Sequence, residues 1–308
     1  VKELTRFAAF SLKLKTANTL TKSMDKRTTA SLKKYIISKS TLEFTNSEKN
    51  IYELLYSHES FFQIRPLVKY TLERAKRVNQ LSKQGSTGDA EIIFRSMLEG
   101  FIKLIYIITS ENDQVYQHRI NEYFTILCQI ETLRTSDKHK ILSESKINSR
   151  FNPYAALVLS EEEEQELKQK PSWANRKYRQ EVKAKWSYSE LSKYLSSNLQ
   201  GGFFVPFRLL DHYYKLASHI AHGDETIFRN QWMIPFMEKE YMQLIQTGNT
   251  TKLLRIVNEL IFWIGLELAK FSQKEETYNT IYDHYKDYYE DTGNIHDTII
   301  DRIINYGK

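Results

Sequence analysis

An all-α fold, a multi-helix bundle with few or no strands, follows from three observations. Glycine and proline are scarce, ten and five in 308 residues, so tight turns are few and long helices are favoured. Apolar residues recur at helical spacing along most of the chain, and strand-like alternation is confined to short ambiguous runs such as 154–159. No segment repeats at a period of roughly 20–50 residues, which argues against a solenoid. Hydrophobic content of 41% and charged content of 27% are those of a globular chain with one large or two ordinary domains.

Taken in order, residues 1–22 carry Leu4, Phe7, Ala8, Leu12 and Leu14 among lysines, an amphipathic helix. Residues 23–47, rich in Ser, Thr and Lys, read as a linker with a short helix over 32–38. A long helix is expected from Ser47 to Lys83, kinked or divided at Pro66. Gln84–Asp89 reads as a loop, with Asp89 as N-cap of a helix over 90–109. That helix is apolar on nearly every face and is therefore the expected buried centre of the bundle. A helix over 114–133 precedes a polar stretch over 135–152. Ser160 and Glu163 have capping-box spacing, so the acidic run Glu161–Glu164 reads as a helix N-terminus. Pro171 precedes a helix over 174–184. Gly201, Gly202 and Pro206 mark a turn before a helix over 207–222, which Gly223 ends. An apolar helix starts at Thr247–Thr250 and runs to Phe271. The final helix, 275–304, sets Tyr278, Tyr282, Tyr285 and Tyr289 at helical spacing, a stripe suited to packing or to a partner interface. This gives a basic N-terminal arm and linker (1–47), a helical core (48–274) and a tyrosine-rich acidic C-terminal helix (275–308).

One cysteine, Cys128, excludes an intramolecular disulfide and a cysteine-built zinc site. It fits a reducing cytoplasm, and its apolar neighbours Ile126, Leu127 and Ile130 place it in the core. No run approaches the roughly 20 apolar residues of a membrane span, and the charged start Val1–Arg6 has no signal-peptide core. It also has no methionine, as expected of a numbering that starts inside a longer product. Net charge is +6 but uneven: residues 1–40 hold ten basic residues against two acidic, and residues 274–308 eight acidic against four basic. The basic end has two readings, a solvated helix face and a surface for an anionic partner such as nucleic acid.

Two polar motifs interrupt the helical pattern. On the helix over 207–222, Leu209, Tyr213, Leu216 and Ile220 form one side. Asp211, Ser218 and His222 form the other, with Tyr214 beside them. These polar groups either satisfy one another at a helix end or form a site in which His222 is a general acid or base oriented by Asp211 or Glu99. On the helix over 90–109, Arg95, Glu99 and Ile102 share a face with Tyr106 beside it, and the Arg95–Glu99 spacing permits an ion pair. In so apolar a helix the pair is either a clamp or part of a cleft.

These motifs resemble an uncharacterised bacterial helical family, domain-of-unknown-function family 5677. The likeness rests on the Arg-x-x-x-Glu of Arg95 and Glu99 and on the helix end bearing Tyr214, Ser218 and His222. Trp186-Ser187 corresponds to a further tryptophan element, and the likeness covers roughly residues 50–230. A looser likeness is to HEPN nucleases of toxin and anti-phage systems, whose sites pair an Arg with a His across four to six intervening residues. The one such spacing here, Arg134 to His139, carries no weight: fifteen arginines and eight histidines yield roughly one by chance.

The family carries no settled activity, so that likeness gives a fold class and shared positions. The polar cluster, the basic N-terminal region and the looser nuclease likeness together lead to the expectation of an effector or accessory protein of a bacterial defence or toxin-type system acting on RNA or nucleotide. It would be a metal-independent nuclease with Arg95, Glu99, Ser218 and His222 catalytic and Asp211 and Tyr214 binding substrate. The alternative is a non-catalytic adaptor holding a protein partner, or a second copy, by the N-terminal arm or the C-terminal helix. No cofactor is expected. His212, His219, His222 and Asp224 lack the companion carboxylates of a metal motif, and no phosphate-binding glycine loop or nucleophile elbow is present.

Overall fold

A computed structural model of the chain describes residues 26–144, 155–170, 176–199, 207–222 and 237–306. Among these residues every regular element is helical. In order they are α1 (Lys26–Ser57), a 3-10 turn (Glu59–Ile64), α2 (Arg65–Gln84), α3 (Thr87–Ile108), α4 (Asp113–Ile120), a π-helical stretch (Asn121–Leu127) and α5 (Cys128–Glu144). Then follow a second 3-10 turn (Ala155–Leu157), α6 (Glu161–Gln169), α7 (Arg176–Lys185), α8 (Tyr188–Asn198), α9 (Phe207–His222), α10 (Lys239–Phe271) and α11 (Glu275–Ile304). None of these helices is long and apolar enough to cross a membrane. Residues 1–25, Tyr154, Pro171, Gly201, Gly202, Pro206, Gly223 and Asp224, which carry several of the expectations above, lie outside the described residues.

The expected central helix is buried as its composition requires, and α10 shares the centre with it. α10 packs against α1, α2, α3 and α11, while α3 packs against α2, α8, α9 and α10. Phe101 of α3 and Phe207 of α9 both meet the Trp263 ring of α10, at centroid separations of 5.4 and 5.1 Å.

Local chemistry sets several boundaries. Pro66 divides the long helical segment as expected, sitting in the first turn of α2 where its missing N–H costs nothing. Gly85, at φ +83°, ends α2 with Ser86 N–H bonded back to Leu81 O, a left-handed cap that glycine adopts without a Cβ penalty. The capping box forms: Ser160 N–H donates to Glu163 Oε2 (2.9 Å) and Glu163 N–H to Ser160 Oγ (3.2 Å).

Other boundaries differ from expectation. From Lys26 the expected linker is continuous helix, because Ile36, Phe44 and Ile51 supply a buried face against α10 and α11. The boundary drawn at 47–48 falls inside this helix. Asp89 is not a cap but lies in the first turn of α3, where its charge favours the dipole. Helix continues through 135–144, and Ile130, Leu133 and Ser136 bury its inner side. Cys128 is exposed rather than core, since it faces away from the buried pair Ile126 and Ile130. α10 begins at Lys239 and passes through Gly248, where a Cβ would stand 3.2 Å from Ile303 Cδ1, so that glycine admits α11 rather than starting a helix.

The uneven charge is partly used within the fold. α1 packs on α11, with Lys39 Nζ 3.3 Å from Asp291 and Arg302 Nη1 donating to Thr29 Oγ1 at 3.2 Å. Tyr285 of the tyrosine stripe is buried, Tyr278 and Tyr282 stack on each other, and Tyr289 is exposed beneath the Arg255 guanidinium.

Candidate functional site

From Phe94 to Ile108 the only residues of α3 that are not buried are Arg95, Ser96, Glu99 and Lys103. Three of these carry the only charges between Ile92 and Ile108. Spacing of four residues puts them on one edge of the helix, in the order cation, anion, cation. The edge runs 95–99–103 rather than toward Ile102 and Tyr106, both of which are buried.

α9 brings Tyr214 to this edge. Its buried face is Phe207, Leu210 and Ala217, and Tyr214 lies within that arc because spacings of three, four and seven return to nearly the same angle. The expected apolar side is thereby rotated: Leu209 is exposed, and Tyr214 points inward rather than away from the packed face. The Tyr214 hydroxyl donates to Glu99 Oε1 (2.9 Å) and accepts from Arg95 Nη2 (3.2 Å). Arg95 Nε stands 3.7 Å from the same carboxylate oxygen, and the guanidinium lies 5.1 Å from the Tyr214 ring centroid. Burial raises the Tyr214 pKa; the bond from Arg95 opposes this and the bond to Glu99 adds to it.

α8 closes the cluster from behind. Ser187 caps α8, accepting from Glu190 N–H, and sets Tyr188 at its first position. The Tyr188 ring stacks on Tyr214 at 3.8 Å and 8°. Burial, with the negative charge of Asp211 behind it, pushes the Tyr188 phenol well above its usual pKa. Its buried hydroxyl and the buried Arg95 Nε have no hydrogen-bond partner among the described residues. Two orphaned polar atoms in one cluster are unusual in a native core, where such groups are nearly always paired.

Below Glu99 the edge reaches Lys103, whose Nζ lies over the Tyr123 ring at 5.7 Å. Burial lowers the Lys103 pKa, and the Glu99 charge opposes the shift. Lys103 and Tyr188 were not singled out from the sequence. Lys103 had a signal, its place four residues beyond Glu99 in the same apolar helix, whereas Tyr188 is one of 20 tyrosines and had none.

Of the six expected site residues, the structure brings together Arg95, Glu99 and Tyr214. Asp211 is half-buried next to them and pairs with Lys215 at 2.7 Å. Ser218 is half-buried one turn further along α9, and His222 is exposed on the last residue of that helix. Eight residues of helix put His222 about 12 Å along the axis from Tyr214. Arg134 and His139 both lie on α5, Arg134 exposed and His139 half-buried; Arg134 pairs with Glu131 at 3.6 Å, and His139 Nδ1 lies 3.4 Å from Leu157 O. No cluster of three or more His, Cys, Asp or Glu suited to a metal occurs among the described residues.

Trp186, the other element of the resemblance, belongs to a separate buried network. Its Nε1 donates to Glu122 Oε2 (3.2 Å), which Lys185 (2.6 Å) also reaches, while His118 Nε2 lies 3.2 Å from Oε1. Nearby, Arg119 donates to Tyr106 O and to Tyr194 OH. With its polar groups so paired, this network reads as a clamp between the π-helical stretch, α7 and α8.

A model of the family of unknown function DUF5677 matches residues 61–232, which span α2 to α9 and so contain Arg95, Glu99, Lys103, Tyr188 and Tyr214. No curated protein and no solved structure matches the chain, and the looser HEPN likeness has no counterpart among these comparisons.

Proposed function

The chain belongs to the DUF5677 family of unknown function, and from that premise we propose that it is a helical effector or accessory protein acting on RNA or a nucleotide along the Arg95–Glu99–Lys103 edge. The observation that carries this reading is that the single polar breach in the buried helix α3 is also where a second helix delivers a tyrosine to an Arg–Glu pair. Two cations flank one carboxylate, so the edge is net positive, as an anionic ligand requires. Arg95 would hold a phosphate and stabilise charge developing on it. Glu99, held by Tyr214, would accept a proton from a ribose hydroxyl. Ser218 and His222 lie one and two turns along α9, so an RNA strand could reach them while a mononucleotide at Arg95 could not. The adaptor alternative draws less support, since Tyr285 of the stripe is buried in the bundle and Tyr278 and Tyr282 are half-buried.

The test is RNA degradation by the full chain and by Arg95→Ala, Glu99→Gln and His222→Ala, each checked for thermal unfolding. Losses of about 100-fold or more in the first two, with folding retained, are expected of groups that act in the chemistry. Folded Arg95→Ala and Glu99→Gln proteins with full activity would remove the reading. A fully active His222→Ala protein would remove that histidine alone.

A further inference from the structure

The α3 edge ends in a cavity of about 340 Å³ between α2, α3 and the π-helical stretch. Tyr70, Glu99, Gly100, Lys103, Tyr123 and Phe124 are among its walls. The volume lies within the range of small-molecule sites, at the size of one nucleotide rather than of a peptide. Aromatic rings come from two elements, and π-helical turns recur at functional sites. Lys103 has no carboxylate within ion-pair distance among the described residues; its ammonium lies over the Tyr123 ring. A half-buried ammonium without a salt bridge is a seat for an anion. The Tyr214 hydroxyl and Arg95 Nε both meet Glu99 at Oε1, which leaves its second oxygen, Oε2, as an acceptor for a hydroxyl or a ring N–H. Gly100 keeps the wall close: a Cβ there would stand 3.1 Å from Tyr70 Cδ1.

We propose that this cavity binds a single nucleotide unit, its base against Tyr123 and Phe124 and its phosphate on the Lys103 ammonium. The proposal rests on the RNA-or-nucleotide reading above and adds the place and the unit recognised. Aromatic stacking suits every base, so the cavity selects for a ring joined to a phosphate rather than for base identity. The unit is either a free nucleoside monophosphate or the phosphorylated end of an RNA.

Calorimetric titration of the full chain with AMP, adenosine and ribose 5-phosphate tests this without any variant. AMP should bind, and each half-ligand should bind at least about tenfold more weakly. Adenosine binding as tightly as AMP, or no binding of AMP, overturns the proposal. Lys103→Met should bring AMP down to the level of adenosine, and an unchanged Kd overturns the phosphate seat. Tyr123→Leu should weaken adenosine and leave ribose 5-phosphate as it was; unchanged adenosine binding overturns the base assignment. Displacement of AMP by a 5′-phosphorylated but not a 5′-hydroxyl RNA hexamer identifies an RNA end as the source, and displacement by neither identifies the free nucleotide. Failure here is separable from failure of the broader reading. Arg95-dependent RNA degradation without AMP binding removes the cavity alone, whereas AMP binding with activity indifferent to Arg95 removes only the chemistry assigned to Arg95.

Discussion

Glu259 lies inside α10 with its side chain almost wholly shielded, bonded to Arg255 Nε at 3.0 Å. Burial pushes its pKa up to about 7, although Arg255 pulls the other way. An ordinary glutamate in the unfolded chain titrates near 4.3. Between those two values the folded state holds a proton that the unfolded state has released. Folding stability therefore falls as pH rises from about 4.5 to about 7 and levels off beyond, with a total on the order of 3 kcal/mol. Glu259→Gln fixes the neutral form and removes this slope. Denaturant unfolding of both proteins at pH 5 and pH 8 is the measurement. The wild type should lose stability relative to the variant by roughly 2–3 kcal/mol between those values, and parallel profiles would refute the assignment. The same residue scale shows what a sequence can and cannot carry. Arg95, Glu99 and Lys103 are legible because charge is rare in an apolar helix and their spacing is fixed by the turn. Tyr188 is not legible, since its role comes from stacking on a ring 26 positions away. Nor is the inward turn of Tyr214, because Leu209 and Leu210 are equally apolar and only packing against other helices decides which of them is buried.

At the scale of elements, Gly100 sits where α3 lies close against α2. A Cβ there would stand 2.6 Å from Thr71 Oγ1 and 3.1 Å from Tyr70 Cδ1. Thr71 is fully buried and its hydroxyl is already committed to Leu67 O at 2.9 Å, so it is not a flexible end that can swing aside. Gly100→Ala gains up to about 1 kcal/mol of helix propensity but forces the two helices apart, and overpacking of this kind costs roughly 1–3 kcal/mol. A net loss of stability is expected in thermal unfolding, together with weaker AMP binding if the Tyr70 wall moves. A variant more stable than wild type would show that the contact is looser than its geometry. Helix ends that rest on local chemistry, the Pro66 break and the Ser160 box, are readable in advance: proline without its N–H fits the first turn of a helix, and the box satisfies backbone N–H groups with nearby side chains. α1 and the start of α10 are not. Their Ser, Thr, Lys and Gly composition argues for loops; α1 is helical because α10 and α11 bury one side of it, and the start of α10 because α11 does. Long-range packing overrides propensity there.

For the whole molecule, the family match and the hydrophobic core have different outlines. Residues 61–232 hold the candidate site, yet α10, outside that range, packs against α1, α2, α3 and α11. Without α10 the apolar face of α3 around Phe101 would meet water where Trp263 now covers it. α1 and α11 add their own buried residues, Ile36, Ile51, Ile281 and Tyr288, to the far side of α10, and Tyr288 shares a hydrogen bond of 2.9 Å with Ser40 across the bundle. Burial of apolar area contributes roughly 25 cal/mol per Å², and domains are stable by only about 5–15 kcal/mol in total, so losing the central helix exceeds what the remaining helices can absorb. The site-bearing segment is therefore expected not to fold alone. A fragment of residues 61–232 should lack a cooperative thermal transition and elute as aggregate, whereas residues 26–306 should unfold cooperatively as a defined species in the same experiment. A monomeric 61–232 fragment with a sharp transition would overturn the dependence on α10. It would also mean that the polar edge of α3 is held by α2, α8 and α9 alone.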